Sequence, residues 1–305
     1  MNIKESVVDL IGKTPMVHLR QFGAGLDATL AAKLEMFNPY SVKDRPISLM
    51  LEAAEREGKV DKDTTIIEAT SGNTGLALAF LCARKGYKLR ICMSEIQSEE
   101  RKRLLKAFGA ELELTPASEG TVGSKKRVLE LLEEIPNSFY IEQHGNENNP
   151  RAHRETTGPE LWEDTDGKID ILVGGLGTTG TLRGVAEYIK PLKPSFQAIG
   201  VEPELAPMIS KGEFKPHRQA GTSPGFIPKL LKRELLDEIL TVSEEDSFET
   251  CRELAMKEGV LAGITSGMTA WGARELAKRP ENKGKLIVAV FADTGERYLS
   301  VKGLY

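Results

Sequence analysis

Short apolar runs rich in β-branched residues alternate with amphipathic stretches along almost all of the 305 residues. That alternation constrains the chain to an α/β fold, with parallel or mixed sheets flanked by helices. Runs at 64–68, 89–93, 111–115, 139–142, 169–174, 198–202 and 286–292 predict strands. Helices are expected to begin near Arg45, Thr74, Ser98, Val122, Asn148, Gly180, Glu245 and Gly267. The length is too great for one small core and suggests about two lobes.

The turns between these elements carry the chemistry. Glycines and hydroxyls gather where a strand hands over to a helix, after Glu68 and after Val173. In an open parallel sheet such junctions lie at the carboxyl ends of strands, where a helix N-terminus offers unpaired N–H groups to anions. Two anion sites are therefore expected. The first, Thr70-Ser71-Gly72-Asn73-Thr74-Gly75, is a nest for a carboxylate or phosphate; as a plain capped helix start it would look much the same. About thirty residues before it, Lys43 stands in Asn38-Pro39-Tyr40-Ser41-Val42-Lys43-Asp44-Arg45. A lysine by itself is ordinarily a surface residue. A lysine paired with a separate anion pocket is what pyridoxal phosphate chemistry on an amino acid requires, because the amine condenses with the cofactor's carbonyl.

The second turn, Gly175-Leu176-Gly177-Thr178-Thr179-Gly180, matches the dinucleotide fingerprint, and Glu202 ends the next strand twenty-two residues after Gly180. A nicotinamide-dependent oxidoreductase is thus a reading of a different class. Against it, the motif falls past mid-chain, and Thr178, Thr179 and Thr181 suit a single terminal phosphate. A triphosphate P-loop is excluded because no Lys-Ser or Lys-Thr pair follows the last glycine.

Composition removes other classes. The net charge of −4 lacks the concentrated positive surface of a nucleic-acid binder, and Arg101-Lys102-Arg103 and Lys125-Lys126-Arg127 read as solvated helix faces. Cys82, Cys92 and Cys251 have neither metal spacing nor an even count, and His18, His144, His153 and His217 are scattered, so no metal site is expected. No signal peptide or membrane-length apolar run is present, which points to the cytoplasm. Residues 212–229 form the longest irregular segment, and Gly221-Thr222-Ser223-Pro224-Gly225-Phe226-Ile227-Pro228 reads as a shaped loop rather than a plain connector.

Taken in order, these segments resemble the cysteine synthase (O-acetylserine sulfhydrylase) family of fold-type II pyridoxal-phosphate enzymes. The resemblance spans nearly the whole chain: Ile11-Gly12-Lys13-Thr14-Pro15-Met16-Val17, the Lys43 and Thr70 segments, Thr156-Thr157-Gly158-Pro159-Glu160, Gly177-Thr178-Thr179-Gly180-Thr181, Gly263-Ile264-Thr265-Ser266-Gly267 and Asp293-Thr294-Gly295-Glu296-Arg297-Tyr298. It implies that Lys43 is the catalytic lysine and carries pyridoxal 5'-phosphate, with Asn73 on the ring oxygen. Gly177, Thr178, Thr179, Gly180 and Thr181 would hold the phosphate, and Ser266 the pyridine nitrogen. Thr70, Ser71, Asn73, Thr74 and Gln143 would bind the substrate carboxylate. The implied reaction is β-replacement, making L-cysteine from O-acetyl-L-serine and sulfide through an aminoacrylate.

Further implications are a tryptophan synthase β-like fold, with a larger cofactor domain over 1–36 and 147–305 and a smaller, movable domain over 37–146. A homodimer is implied, as is docking of the C-terminal tail of serine acetyltransferase; membrane and nucleic-acid partners are not. Within the same chemistry stand cystathionine β-synthase, an O-phosphoserine-dependent enzyme and a cysteine-consuming, sulfide-releasing enzyme, and outside it a non-catalytic binding relative. Thr179, Thr265 and Gln143-His144-Gly145-Asn146 depart from the usual family pattern, and Gly225-Phe226-Ile227-Pro228 looks like the A-type branch while Gly-Thr-Thr-Gly-Thr looks like the B-type.

Overall fold

In the computed structural model, which describes residues 3–70 and 72–305, strands form at Met16–His18 (β1), Thr29–Lys33 (β2), Thr65–Ala69 (β3), Lys88–Ser94 (β4), Glu111–Thr115 (β5), Ser138–Tyr140 (β6), Ile169–Gly175 (β7), Gln197–Pro203 (β8), Glu238–Val242 (β9) and Leu286–Val290 (β10). Helices span Asp44–Arg56 (α1), Asn73–Lys85 (α2), Glu99–Ala107 (α3), Gly120–Glu134 (α4), Asn148–Ala152 (α5), Gly158–Asp164 (α6), Gly180–Ile189 (α7), Met208–Lys211 (α8), Glu244–Glu258 (α9) and Ile264–Ala277 (α10). The α/β class stands. All seven expected strands form, within two residues of the expected bounds at each end, and the exact match is Glu111–Thr115. The helix expected at Gly267 starts three residues earlier, at Ile264, which puts Ser266 inside its first turn.

The chain divides into one unit of Met1–Asp9 with Lys43–Asn148 and another of Leu10–Val42 with Asn149–Tyr305. In the first unit four parallel strands lie in the order β5-β4-β3-β6. The chain moves outward from β3 to β4 to β5, then returns to place β6 on the other side of β3. Right-handed crossovers therefore put α2 and α3 on one face and α4 on the other. Ile67, Ala69 and Cys92 bury their side chains against Val128 and Leu131 of α4.

The second unit repeats the device on a larger scale, with six strands in the order β1-β2-β10-β7-β8-β9. Only β1 with β2 is antiparallel; the other pairs are parallel. From β7 the chain steps outward to β8 and β9 and returns to β10. The period-two alternation of each strand then supplies both cores. Ile171, Val173, Ile199 and Ala289 pack under α10 with Met268 and Leu276, while Leu172, Ala198 and Val288 pack under α7 with Leu182, Val185 and Ile189. Each large aliphatic side chain withdrawn from water in this way contributes about 2 kcal/mol.

The strands missed from sequence are β1, β2 and β9. Thr29–Lys33 reads Thr-Leu-Ala-Ala-Lys, and alanine and lysine are poor strand formers. Its strand character comes from pairing with β10, Leu286 to Thr29 through Val290 to Lys33. Lys33 is fully buried at the end of this strand; its Nζ donates to the Thr14 carbonyl at 2.7 Å and pairs with Asp164 at 2.8 Å and Glu160 at 3.1 Å. Lys33→Ala would leave two carboxylates without their buried cation, so the unfolding free energy in urea should fall by about 3 kcal/mol; an unchanged midpoint would show that the pairing contributes nothing.

Candidate active site

A reversal of strand order leaves a crevice outside the carboxyl ends of the strands on either side of it. In the first unit the reversal lies at β3 and β6, and the turns leaving those strands carry Thr70, Asn73 and Thr74 on one side and Gln143 on the other. Ser71 lies outside the described residues. The structure brings Thr74 and Gln143 together directly: the Thr74 hydroxyl donates to Gln143 Oε1 at 2.7 Å, and both are buried. Thr70 Oγ1 accepts from the Gly72 N–H at 3.3 Å, and the Thr70 methyl group packs where a Cβ on Gly75 would sit, 3.1 Å away. Asn73 opens α2, a 13-residue helix whose N-terminal dipole favours an anion. Lys43 is partly buried and sits at the N-cap of α1, its carbonyl accepting from Ile47.

Two features of this unit escape a sequence reading. Glu142, just before Gln143, has a left-handed backbone with φ of 52°, a strained setting that commonly marks functional turns. His144 is held neutral: burial lowers its pKa to about 4, with the positive charges of Lys125 and Lys43 adding to the effect.

The second unit has its reversal at β7 and β10. Gly177, Thr178, Thr179, Gly180 and Thr181 form the turn after β7 and open α7. Thr179 takes a left-handed conformation with φ of 67°, unusual for a β-branched residue, and its buried Oγ1 has no hydrogen-bond partner. A Cβ on Gly177 would fall 2.3 Å from the Gly221 carbonyl oxygen, and one on Gly180 2.0 Å from Asn149 Oδ1. The turn is thus pressed tight against its neighbours, with its amides and an unsatisfied hydroxyl at a helix N-terminus. That donor set fits a phosphate monoester.

Thr181 is fixed by a relay absent from the sequence expectations. Its hydroxyl meets His153 Nε2 at 3.2 Å, and His153 Nδ1 meets Thr157 Oγ1 at 2.9 Å. His153 and Thr157 belong to a π-helical turn, His153–Thr157, that interrupts the run from α5 to α6; such turns recur at functional sites because they re-aim side chains. Both ring nitrogens of His153 therefore have hydroxyl partners. The Thr156-Thr157-Gly158 motif was the available signal.

Ser266 is fully buried in the first turn of α10, and its Oγ accepts from the Ala292 N–H, just past β10, at 3.1 Å. The hydroxyl accepts in that contact, which leaves its own hydrogen to donate to a ring nitrogen. Gly263 N–H donates to the Asp293 carbonyl at 2.9 Å, so the terminal motif holds the start of this helix. Thr265 donates to the Ala220 carbonyl at 2.8 Å and packs its methyl group over Gly175, tying the long irregular loop to the phosphate-like turn. Glu202, the residue a dinucleotide reading needs, is buried and spends its carboxylate on the N–H groups of Ile209 and Ser210, at 3.0 and 2.9 Å, capping α8. The nicotinamide reading therefore loses its ribose ligand.

Residues 7–293 match the family model described as pyridoxal-phosphate dependent enzyme. The chain belongs to this family. Cysteine synthase of Staphylococcus aureus strain Mu50 is 46% identical over 298 residues, 97% of this chain and 96% of that protein. Cysteine synthase B of Campylobacter jejuni is 44% identical over 301 residues, 98% of each. The crystal structure of cysteine synthase from Entamoeba histolytica superposes with a TM-score of 0.96 at 39% identity, covering 100% of this chain and 91% of that one. The protein is accordingly a pyridoxal-phosphate dependent enzyme on the cysteine synthase branch, as the ordered motifs imply. No helix among the described residues is long and apolar enough to cross a membrane, and no metal-binding group of His, Cys, Asp and Glu is found among them.

Gly177→Ala should push the turn off the Gly221 carbonyl; the purified variant is expected to retain less than about a tenth of the wild-type cofactor, read by its visible absorbance, with an unchanged far-ultraviolet spectrum. Full cofactor content in the variant would refute the packing argument. His144 should show ring resonances that stay at their neutral positions from pH 8 down to pH 5 and titrate only near 4, in the direction burial dictates.

Proposed function

We propose that the enzyme makes L-cysteine and acetate from O-acetyl-L-serine and sulfide, with Lys43 as its catalytic base. The observation that carries this reading is the buried Thr74 to Gln143 pairing at the reversal of the first sheet, in the same unit as the lysine. When bound, pyridoxal phosphate supplies an aldehyde that condenses with amines and a conjugated ring that accommodates the electron pair released at the substrate α-carbon.

The chain's own residues do the rest. N–H groups at the start of α2, with Thr70, Ser71, Asn73, Thr74 and Gln143, hold the α-carboxylate and so present the α-hydrogen to Lys43 Nζ. Lys43 removes that proton, and the β-carbon to oxygen bond breaks with acetate leaving. Hydrosulfide forms the β-carbon to sulfur bond, and Lys43 returns the proton to the α-carbon. Asn73 supports the ring oxygen. Gly177, Thr178, Thr179, Gly180 and Thr181 bind the phosphate through amides and hydroxyls, which the unpaired buried Thr179 Oγ1 supports. Ser266 donates to the ring nitrogen without a charge, and a neutral hydroxyl favours elimination and replacement over transamination because it leaves the ring a weaker electron sink.

An acetyl leaving group is favoured over a phosphoryl one by the fate of Arg218, the arginine within the irregular segment. Its Nε bonds both Glu244 oxygens at 3.0 Å and its Nη1 donates to the Lys302 carbonyl at 2.7 Å, so it is already committed. The reading includes a homodimer, on the strength of the resemblance. It also includes a cytoplasmic location, supported by three buried free thiols suited to a reducing compartment. A carboxylate site of this kind could receive the C-terminal carboxylate of serine acetyltransferase.

Wild-type enzyme given O-acetylserine and sulfide should yield stoichiometric cysteine and acetate, and Lys43→Ala should lose at least about 10³-fold of that rate. Sulfide release from cysteine, with no cysteine formed from acetylserine, would overturn the reading.

A further inference from the structure

The start of α10, and with it Ser266, is set by a short antiparallel ladder between 261–266 and 292–295. Ala262 faces Thr294 in an isolated bridge. The Gly295 N–H donates to the Leu261 carbonyl and the Gly263 N–H to the Asp293 carbonyl, both at 2.9 Å, and the Ala292 N–H reaches Ser266 Oγ at 3.1 Å. With the bonds on either side of it made by its neighbours, Ala262 turns its own carbonyl away from the partner strand. Ala262 is fully buried, so that carbonyl needs a donor from elsewhere in the fold.

The donor is Tyr305, whose hydroxyl meets the Ala262 carbonyl at 2.6 Å. Gly295 leaves room for it, since a Cβ there would fall 2.4 Å from the Tyr305 hydroxyl. The backbone leading to Tyr305 is fastened at three successive carbonyls: Arg218 Nη1 donates to Lys302 at 2.7 Å, and Arg252 Nη1 donates to Gly303 at 2.7 Å and to Leu304 at 3.0 Å. Leu304 is fully buried in a cluster with Phe248, Cys251 and Ile264, the first residue of α10.

We propose that Tyr305 is a positioning residue for Ser266: by capping the outward carbonyl of Ala262 it fixes the ladder whose far end aims the Ser266 hydroxyl at the ring nitrogen of the cofactor. The proposal rests on the role given above to Ser266. Tyr305 acts through the backbone of 262–266 and not by contact with the ring. Without its hydroxyl a buried carbonyl beside the first turn of α10 is left unpaired, and the turn shifts toward whatever donor, water included, can satisfy it.

The experiment uses holoenzyme carrying pyridoxal phosphate labelled with nitrogen-15 in the ring, as wild type, Tyr305→Phe, Ser266→Ala and the double variant. The ring resonance reports the hydrogen bond at that nitrogen. Ser266→Ala should displace it, and Tyr305→Phe should displace it in the same direction. Cofactor release, followed by loss of visible absorbance during dialysis, should be about fivefold faster from Tyr305→Phe, the effect of one net hydrogen bond. The double variant should release no faster than Ser266→Ala, because two residues that act on one bond are not additive. A resonance displaced by Ser266→Ala and unmoved by Tyr305→Phe overturns the proposal while the role of Ser266 stands; a resonance unmoved by Ser266→Ala overturns both. Effects on release that multiply in the double variant show a merely structural role for Tyr305 and overturn the proposal as well. Where Tyr305→Phe does not fold, Arg252→Gln, which frees the Gly303 and Leu304 carbonyls, takes its place with the same expected displacement and the same overturning result.

Discussion

In a parallel sheet every strand hands over to its helix at the same edge, so the N-termini of the helices gather there, and a sheet that grows outward in one direction leaves no gap between successive turns. The gap opens only where the chain turns back, and this protein does so at β3 and at β7. Everything proposed for the site depends on those reversals. The turn after β3 would be buried beneath a neighbouring crossover if β6 did not return on its far side, and the turn after β7 has the same need of β10. Two separate sheets, each with one reversal, give one helix start each at a crevice, α2 and α7.

The two starts are built differently, in keeping with what each would hold. Around α7 the backbone is pressed against Gly221 and Asn149, Thr179 is strained into a left-handed conformation, and Thr181 is fixed through His153 to Thr157. Such a turn suits a group that stays bound. At α2 the buried Thr74 hydroxyl donates to the Gln143 amide oxygen. A substrate carboxylate that must enter and leave on every turnover needs donors held in place but not packed shut.

Several motifs that made the family legible serve as staples with no chemistry of their own. Thr14 donates to Glu35 at 2.7 Å, Asn38 donates to the same carboxylate at 3.0 Å, and the Gly12 N–H donates to Asn38 at 2.8 Å. Arg297 of the terminal motif donates to the Tyr40 carbonyl. Buried polar groups of this kind are costly unless every partner is present. The dinucleotide-like pattern, by contrast, misled in its acidic partner alone: the glycines do form a tight turn into a helix, but Glu202 caps α8.

The amino-acid sequence by itself determined the α/β class, the strands that are β-branched and apolar, and the glycine and threonine turns at strand ends, because local propensity and period-two burial act within a few residues. It left β2 unread, since Ala-Ala-Lys becomes a strand only when β10 supplies the other half of its hydrogen bonds. Tertiary structure alone decided the strand order and so the two crevices, the left-handed turns at Glu142 and Thr179, the relay through the π-helical turn to Thr181, and the burial that neutralises His144. Each of these depends on residues far apart in sequence excluding water or crowding one another's backbone, and no local pattern encodes that.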